Sequence, residues 1–115
     1  NLREQRNLTK ILVPIDLNIN NYIHPNSSQK NSDNNQYKLL SVSWHGGFSS
    51  NGGHYISWCR YGNNWYSMND NNPVKKIVNY QEDGNLKRPG DEWLVNYLIY
   101  ERVSQNQEQV EENIK

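Results

Sequence analysis

Residues Trp44 to Asn71 read WHGGFSSNGGHYISWCRYGNNWYSMNDN, and two of the chain's three histidines, His45 and His54, flank the Gly/Ser/Asn-rich loop inside it. His54 to Arg60 and Trp65 to Met68 are dense in aromatic and β-favouring residues. Tyr61-Gly62-Asn63-Asn64 between them is turn chemistry, because Gly and Asn tolerate positive φ. A two-residue turn at Gly62-Asn63 sets Arg60 opposite Trp65 and His54 opposite Asn71. Side chains alternate faces, so His54, Ile56, Trp58, Ser67, Asn69 and Asn71 then share one face. Asn69 becomes the diagonal neighbour of His54, about 7–8 Å away along the backbone and within side-chain reach. Asp70 is expected on the other face, beside Tyr55. A one-residue bulge would exchange the roles of Asn69 and Asp70. The stretch therefore delivers an imidazole and an orienting partner on a β-hairpin, with no nucleophile beside them.

Around this hairpin the chain alternates polar runs and short strands. Asn1 to Lys10 reads as a polar connector, and Ile11 to Leu17, with Pro14 inside it, as an edge strand or extended segment. Residues 18–36 carry NSSQKNSDNNQ, have little to bury, and read as a long mobile, disordered-like insertion. Tyr37 to Trp44 alternates as a strand, with Leu40, Val42 and Trp44 on one face and Leu39, Ser41 and Ser43 on the other. Val74 to Val78 is a further short strand. Asn79 to Asp91 is an irregular polar insertion with turn signals at Asp83-Gly84 and Pro89-Gly90, and Trp93 to Val103 is the last strand. Ser104 to Lys115 is a Gln/Glu-rich polar tail.

The words Tyr37…Val42…His45-Gly46…Gly53-His54-Tyr55…Trp65…Asn69-Asp70…Tyr97-Leu98-Ile99-Tyr100-Glu101 resemble the histidine box of the ubiquitin-specific proteases. Upstream, Pro14-Ile15-Asp16-Leu17 resembles the short Pro-x-x-Leu-Asp-Leu run that precedes that box, with Ile15 in place of the usual leucine. The resemblance spans Val13 to Arg102. It implies an α+β, papain-like cysteine peptidase, of which this chain supplies mainly the antiparallel, palm-like β-sheet. Residues 1–103 then form the C-terminal part of a catalytic domain, and the nucleophile belongs to a cysteine box in an N-terminal part absent from this sequence. The implied activity is thiol-dependent hydrolysis of the peptide or isopeptide bond after ubiquitin's C-terminal glycine. Ubiquitin and ubiquitinated proteins are the implied partners. Ser-Asn-Gly-Gly-His-Tyr-Ile-Ser-Trp and Gly90-Asp91-Glu92-Trp93 most resemble the proteasome-associated member, which adds the proteasome as an expected partner.

The resemblance gives His54 the role of general base, which must present one ring nitrogen to the nucleophile while the other donates to an orienting group. The plainer reading is a histidine that merely ends a strand. Asn69 matches the orienting position, where a carboxamide oxygen accepts the imidazole N–H without adding charge. Asp70 matches the adjacent acidic position and otherwise reads as a solvated carboxylate. His45, Gly52, Gly53 and Tyr55 match positions bordering the cleft for ubiquitin's Gly-Gly tail, since small residues let an extended peptide approach the backbone closely. His45 also reads well as a structural residue. Cys59 lies on the opposite hairpin face from His54 and reads as an inert, half-buried thiol.

Composition narrows the alternatives. Twelve basic and twelve acidic residues balance to zero, which removes the electrostatic case for nucleic acid. No apolar run approaches the ~20 residues of a membrane span. One cysteine excludes an internal disulfide and any cysteine-based zinc cage within this segment, no metal-ligand spacing occurs, and no cofactor is expected. Cytosol or nucleus is the expected compartment. Only 34% of residues are hydrophobic, which fits a segment that shares its core with other protein better than a self-sufficient domain. The alternative function is a non-catalytic ubiquitin- or glycan-binding β-domain, rich in Trp, Tyr and Asn.

Overall fold

The computed structural model describes residues 11–47 and 53–103. Its axis is the strand β2 (Gln36–Gly46), where β-branched and aromatic residues alternate with serines. On one edge of β2 lies the last strand, β8 (Trp93–Arg102); on the other edge β1 (Asp16–Asn18) pairs with its first residues and β3 (His54–Tyr61) with its second half. From β3 the sheet continues through β4 (Asn64–Met68) to β5 (Lys75–Ile77), making six antiparallel strands. A small hairpin of β6 (Gln81–Glu82) and β7 (Asn85–Leu86) stands apart from that sheet. Among the described residues the only helices are two single 3-10 turns, Asn20–Tyr22 and Asp33–Asn35. The chain thus presents sheet rather than helix, as expected of the palm-like part.

The hairpin register is the one the turn chemistry implies. Arg60 pairs with Trp65 and Tyr61 with Asn64, leaving Gly62-Asn63 as the two-residue connection, with φ of 63° at Gly62. A glycine with positive φ at the first central position matches the right-handed twist of the flanking strands. The β6–β7 turn instead takes positive φ at both central residues, 52° at Asp83 and 79° at Gly84.

One face of the sheet carries the core. Val42 and Trp44 of β2, Ile56 and Trp58 of β3, and Trp65 of β4 are buried together. Trp44 and Trp58 meet edge-to-face with ring centroids 5.4 Å apart, the geometry the aromatic quadrupole favours. The Trp44 indole N–H is buried there without a hydrogen-bond partner. Val13 and Ile15 close this core from above, held in place by backbone bonds: Ile15 N–H to Gly84 O (3.0 Å), Leu86 N–H to Val13 O (2.8 Å) and Leu39 N–H to Ile15 O (2.7 Å). The Tyr100 hydroxyl donates to the Pro14 carbonyl at 2.6 Å, and burial pushes its phenol pKa above the usual value near 10. On the opposite face Tyr55, Met68, Tyr97 and Ile99 are exposed, while Ser43 and His45 are buried.

Three expectations change. Leu39, which alternation places on the outer face, is fully buried, and Leu40 is only half-buried. The β2–β8 register shifts between Leu39 and Ser41, and such a bulge breaks strict alternation. Leu86, inside the expected irregular insertion, belongs to the core. Residues 18–36 have local order rather than a purely loose course. Asn35, only 4% exposed, donates through Nδ2 to Asn20 Oδ1 (3.1 Å) and to the Gln29 carbonyl (2.7 Å). Asn20 in turn donates to Asn31 Oδ1 (2.8 Å) and accepts from the Asn31 backbone N–H. Carboxamides carry both donors and acceptors, so an asparagine-rich run can satisfy its own backbone without an apolar core. The expected connector at 1–10 and the polar tail at 104–115 lie outside the described residues.

Candidate active site

His54 opens β3, and Asn69 is the first residue beyond β4, whose last ladder pair is Ser57 with Met68. Alternation carries His54, Ile56 and Trp58 to the core-facing side, and Trp65, Ser67 and Asn69 to the same side. The diagonal contact follows: His54 Nε2 lies 2.5 Å from Asn69 Oδ1. With the amide oxygen toward the ring, Nε2 is the donor and Nδ1 keeps its lone pair. The contact thus occupies one ring nitrogen and leaves Nδ1 on the far side of the ring from its anchor.

Asp70 corrects the alternation argument. Alternation sets it beside Tyr55 on the reverse face, yet its carboxylate Oδ2 lies 3.6 Å from the same His54 Nε2. The reason is local. The chain leaves the strand at Met68 and turns, with Asn72 N–H donating to the Asn69 carbonyl at 3.0 Å and Asp70 at φ 50°. A left-handed residue reverses the chain, so two consecutive side chains reach the same atom. Asn69 takes the hydrogen bond, and Asp70 stands behind it as an exposed charge.

His45 and Tyr55 pair across the β2–β3 ladder and stack, with centroids 4.4 Å apart and planes 29° apart. Both face the side opposite His54. Gly53 lies between the two faces, at φ 106°. A Cβ on it would collide with the Gly46 carbonyl oxygen and fall 2.9 Å from His45 Nε2. Gly52, named with these residues from the sequence, lies outside the described residues. Cys59 is half-buried on the reverse face, paired with Ser41 and Tyr66. Trp93, which the sequence reading gives only as the start of the last strand and part of the Gly90–Trp93 word, meets the His54 ring edge-to-face with its indole, with centroids 6.2 Å and planes 71° apart. The only sign of this in the sequence is that Gly46 lacks a side chain. Among the described residues no group of three His, Cys, Asp or Glu side chains is placed to hold a metal ion, and no helix is long and apolar enough to cross a membrane.

Gly53 yields a direct expectation. Gly53→Ala combines a positive φ with the clash at Gly46, a strain of about 1–3 kcal/mol before the clash is counted. Thermal unfolding should report a stability loss of that order, and turnover should fall because His54 is the adjacent residue. A Gly53→Ala protein with unchanged melting temperature and turnover would contradict the packing described.

The geometry is that of an imidazole anchored through one nitrogen at the rim of an antiparallel sheet. Comparison with protein families supplies its context: residues 1–100 match the model of the ubiquitin carboxyl-terminal hydrolases. That family implies a papain-like cysteine peptidase, with ubiquitin or ubiquitinated proteins as its substrates. With the match covering most of its length, this chain belongs to the ubiquitin carboxyl-terminal hydrolase family.

Proposed function

We propose that the chain supplies the base of a thiol-dependent deubiquitinase that cleaves the peptide or isopeptide bond after ubiquitin's C-terminal glycine. A cysteine thiolate from a part of the protein outside this sequence attacks the glycine carbonyl, and the leaving amine takes a proton from the imidazolium of His54. Water, deprotonated by Nδ1 of His54, then hydrolyses the thioester. The observation that carries this reading is the Nε2 contact with Asn69 Oδ1, because it commits one nitrogen and leaves the other for proton transfer. Asp70 adds an exposed negative charge beside the ring, its Oδ2 3.6 Å from Nε2.

In this reading Gly53 borders the path of ubiquitin's C-terminal tail, since a residue without a side chain lets an extended peptide approach the backbone closely. The His45–Tyr55 stack, facing away from His54, supports a bracing role between β2 and β3 rather than contact with the reacting bond. The resemblance of Gly53-His54-Tyr55-Ile56-Ser57-Trp58 and Gly90-Asp91-Glu92-Trp93 to the proteasome-associated member supports assignment to that branch, acting in the cytosol or nucleus. Co-sedimentation of the full-length protein with purified proteasomes tests that assignment; free sedimentation would remove it.

The division of labour has its own test. The full-length protein should release a fluorophore from the C-terminus of ubiquitin and lose that activity on thiol alkylation, while Cys59→Ser keeps it. Loss of turnover in a folded Cys59→Ser protein would make Cys59 the nucleophile. Ubiquitin binding without any turnover would favour the non-catalytic binding domain.

A further inference from the structure

We propose that Trp93 is a positioning residue for His54, fixing the plane of the imidazole that Asn69 anchors at one atom; this rests on reading His54 as the proton-transferring base. The sheet register places Trp93, Gly46 and His54 in one row. Gly46 pairs with Trp93 on β8 and with His54 on β3. Neighbouring strands are about 4.8 Å apart, so residues two strands apart do not normally touch. Here they do, because the residue between them has no side chain. The indole lies across Gly46, where an added Cβ would sit 2.7 Å from Cζ3 and 2.8 Å from Cε3 and Cη2 of the six-membered ring. It reaches the His54 ring edge-to-face beyond.

The Trp93 backbone is itself held. Its amide N–H donates to the Gly90 carbonyl at 3.2 Å, and Arg88 Nη1 donates to its carbonyl at 3.1 Å. A Cβ on Gly90 would be in ordinary contact with Cδ1 at 3.5 Å, so the ring packs close to that backbone as well. One hydrogen bond fixes a point on the imidazole but leaves it free to swing about that point. A wall perpendicular to the ring removes the swing and so sets the direction of Nδ1. Proton transfer depends steeply on that direction, whereas ubiquitin binding does not.

The test is a mutant cycle in the full-length enzyme, read as kcat and KM for a ubiquitin C-terminal fluorogenic amide. Trp93→Leu keeps apolar bulk but loses the planar wall, and should lower kcat about 10-fold with KM within about twofold. Trp93→Phe should restore kcat to within about threefold of the parent. Gly46→Ala should lower kcat about 10-fold in the parent but add little in the Trp93→Leu background, where the shorter side chain does not extend over position 46. Imidazole ¹⁵N shifts should show the Nε2–H tautomer in the parent and a tautomer mixture in Trp93→Leu. Unchanged kcat in Trp93→Leu, or Trp93→Phe and Trp93→Leu variants that lose turnover equally and in step with melting temperature, would overturn the proposal. If Trp93→Leu does not fold, Gly46→Ala decides alone, unchanged kcat in the folded variant overturning it. His54→Ala is the control: full turnover there would sink the base reading itself, whatever Trp93 does.

Discussion

His54→Ala is expected to lower kcat of the full-length enzyme by roughly 10³- to 10⁴-fold while leaving ubiquitin affinity within about twofold. Alanine removes both the proton acceptor and the cation that stabilises the thiolate, and neither group is needed for ground-state contact with ubiquitin. The ring is not part of the buried core, and its side chain remains 43% exposed at the sheet rim. Folding should therefore survive the change, and thermal unfolding should move little. Single-turnover hydrolysis beside a binding isotherm separates the two effects. A folded variant that keeps most of its turnover would remove His54 from the mechanism.

Asn69→Ala is expected to cost about 10- to 10³-fold in kcat, because the imidazole then rotates and populates the wrong tautomer. Asn69→Asp should retain most activity, since a carboxylate accepts the same N–H and favours the imidazolium. Asp70 acts differently. Its oxygen is 3.6 Å from Nε2, and its side chain is 73% exposed, so its influence is a screened charge rather than a held bond. Asp70→Asn keeps a residue at ease with positive φ and should cost no more than about fivefold, a loss that shrinks as salt is raised. The Asn69→Ala loss should not depend on salt. Equal, salt-sensitive losses at both positions would make the carboxylate the true partner of His54.

What the sequence makes legible, and what it hides, divides along physical lines. Gly62-Asn63 specifies a turn whose geometry admits one register, and the register brings Asn69 to His54 by alternation alone. The same rule fails one residue later. Alternation holds only while the chain is a strand, and Asp70 begins a turn in the left-handed region. It fails again at Leu39, where a bulge shifts the β2–β8 register. The order within residues 18–36 escapes a compositional reading, because composition measures apolar burial and is blind to carboxamides that bond one another. The contact of Trp93 with His54 is hidden for a different reason. It depends on which strands flank β2, and the local pattern of β8 does not name its neighbour.

That placement of β8 has a consequence in time. A ribosome delivers β2 long before β8, and β2 is the strand with which β1, β3 and β8 all pair. Until Trp93 to Arg102 emerge, one edge of β2 has no strand of this chain to pair with, and β-rich edges left open recruit other chains. The segment carrying Val13 and Ile15, made earlier still, likewise finds its backbone partners Gly84 and Leu86 only after the hairpin is complete. The nascent chain thus holds His54 and Asn69 on their finished hairpin while the sheet beneath them is still open.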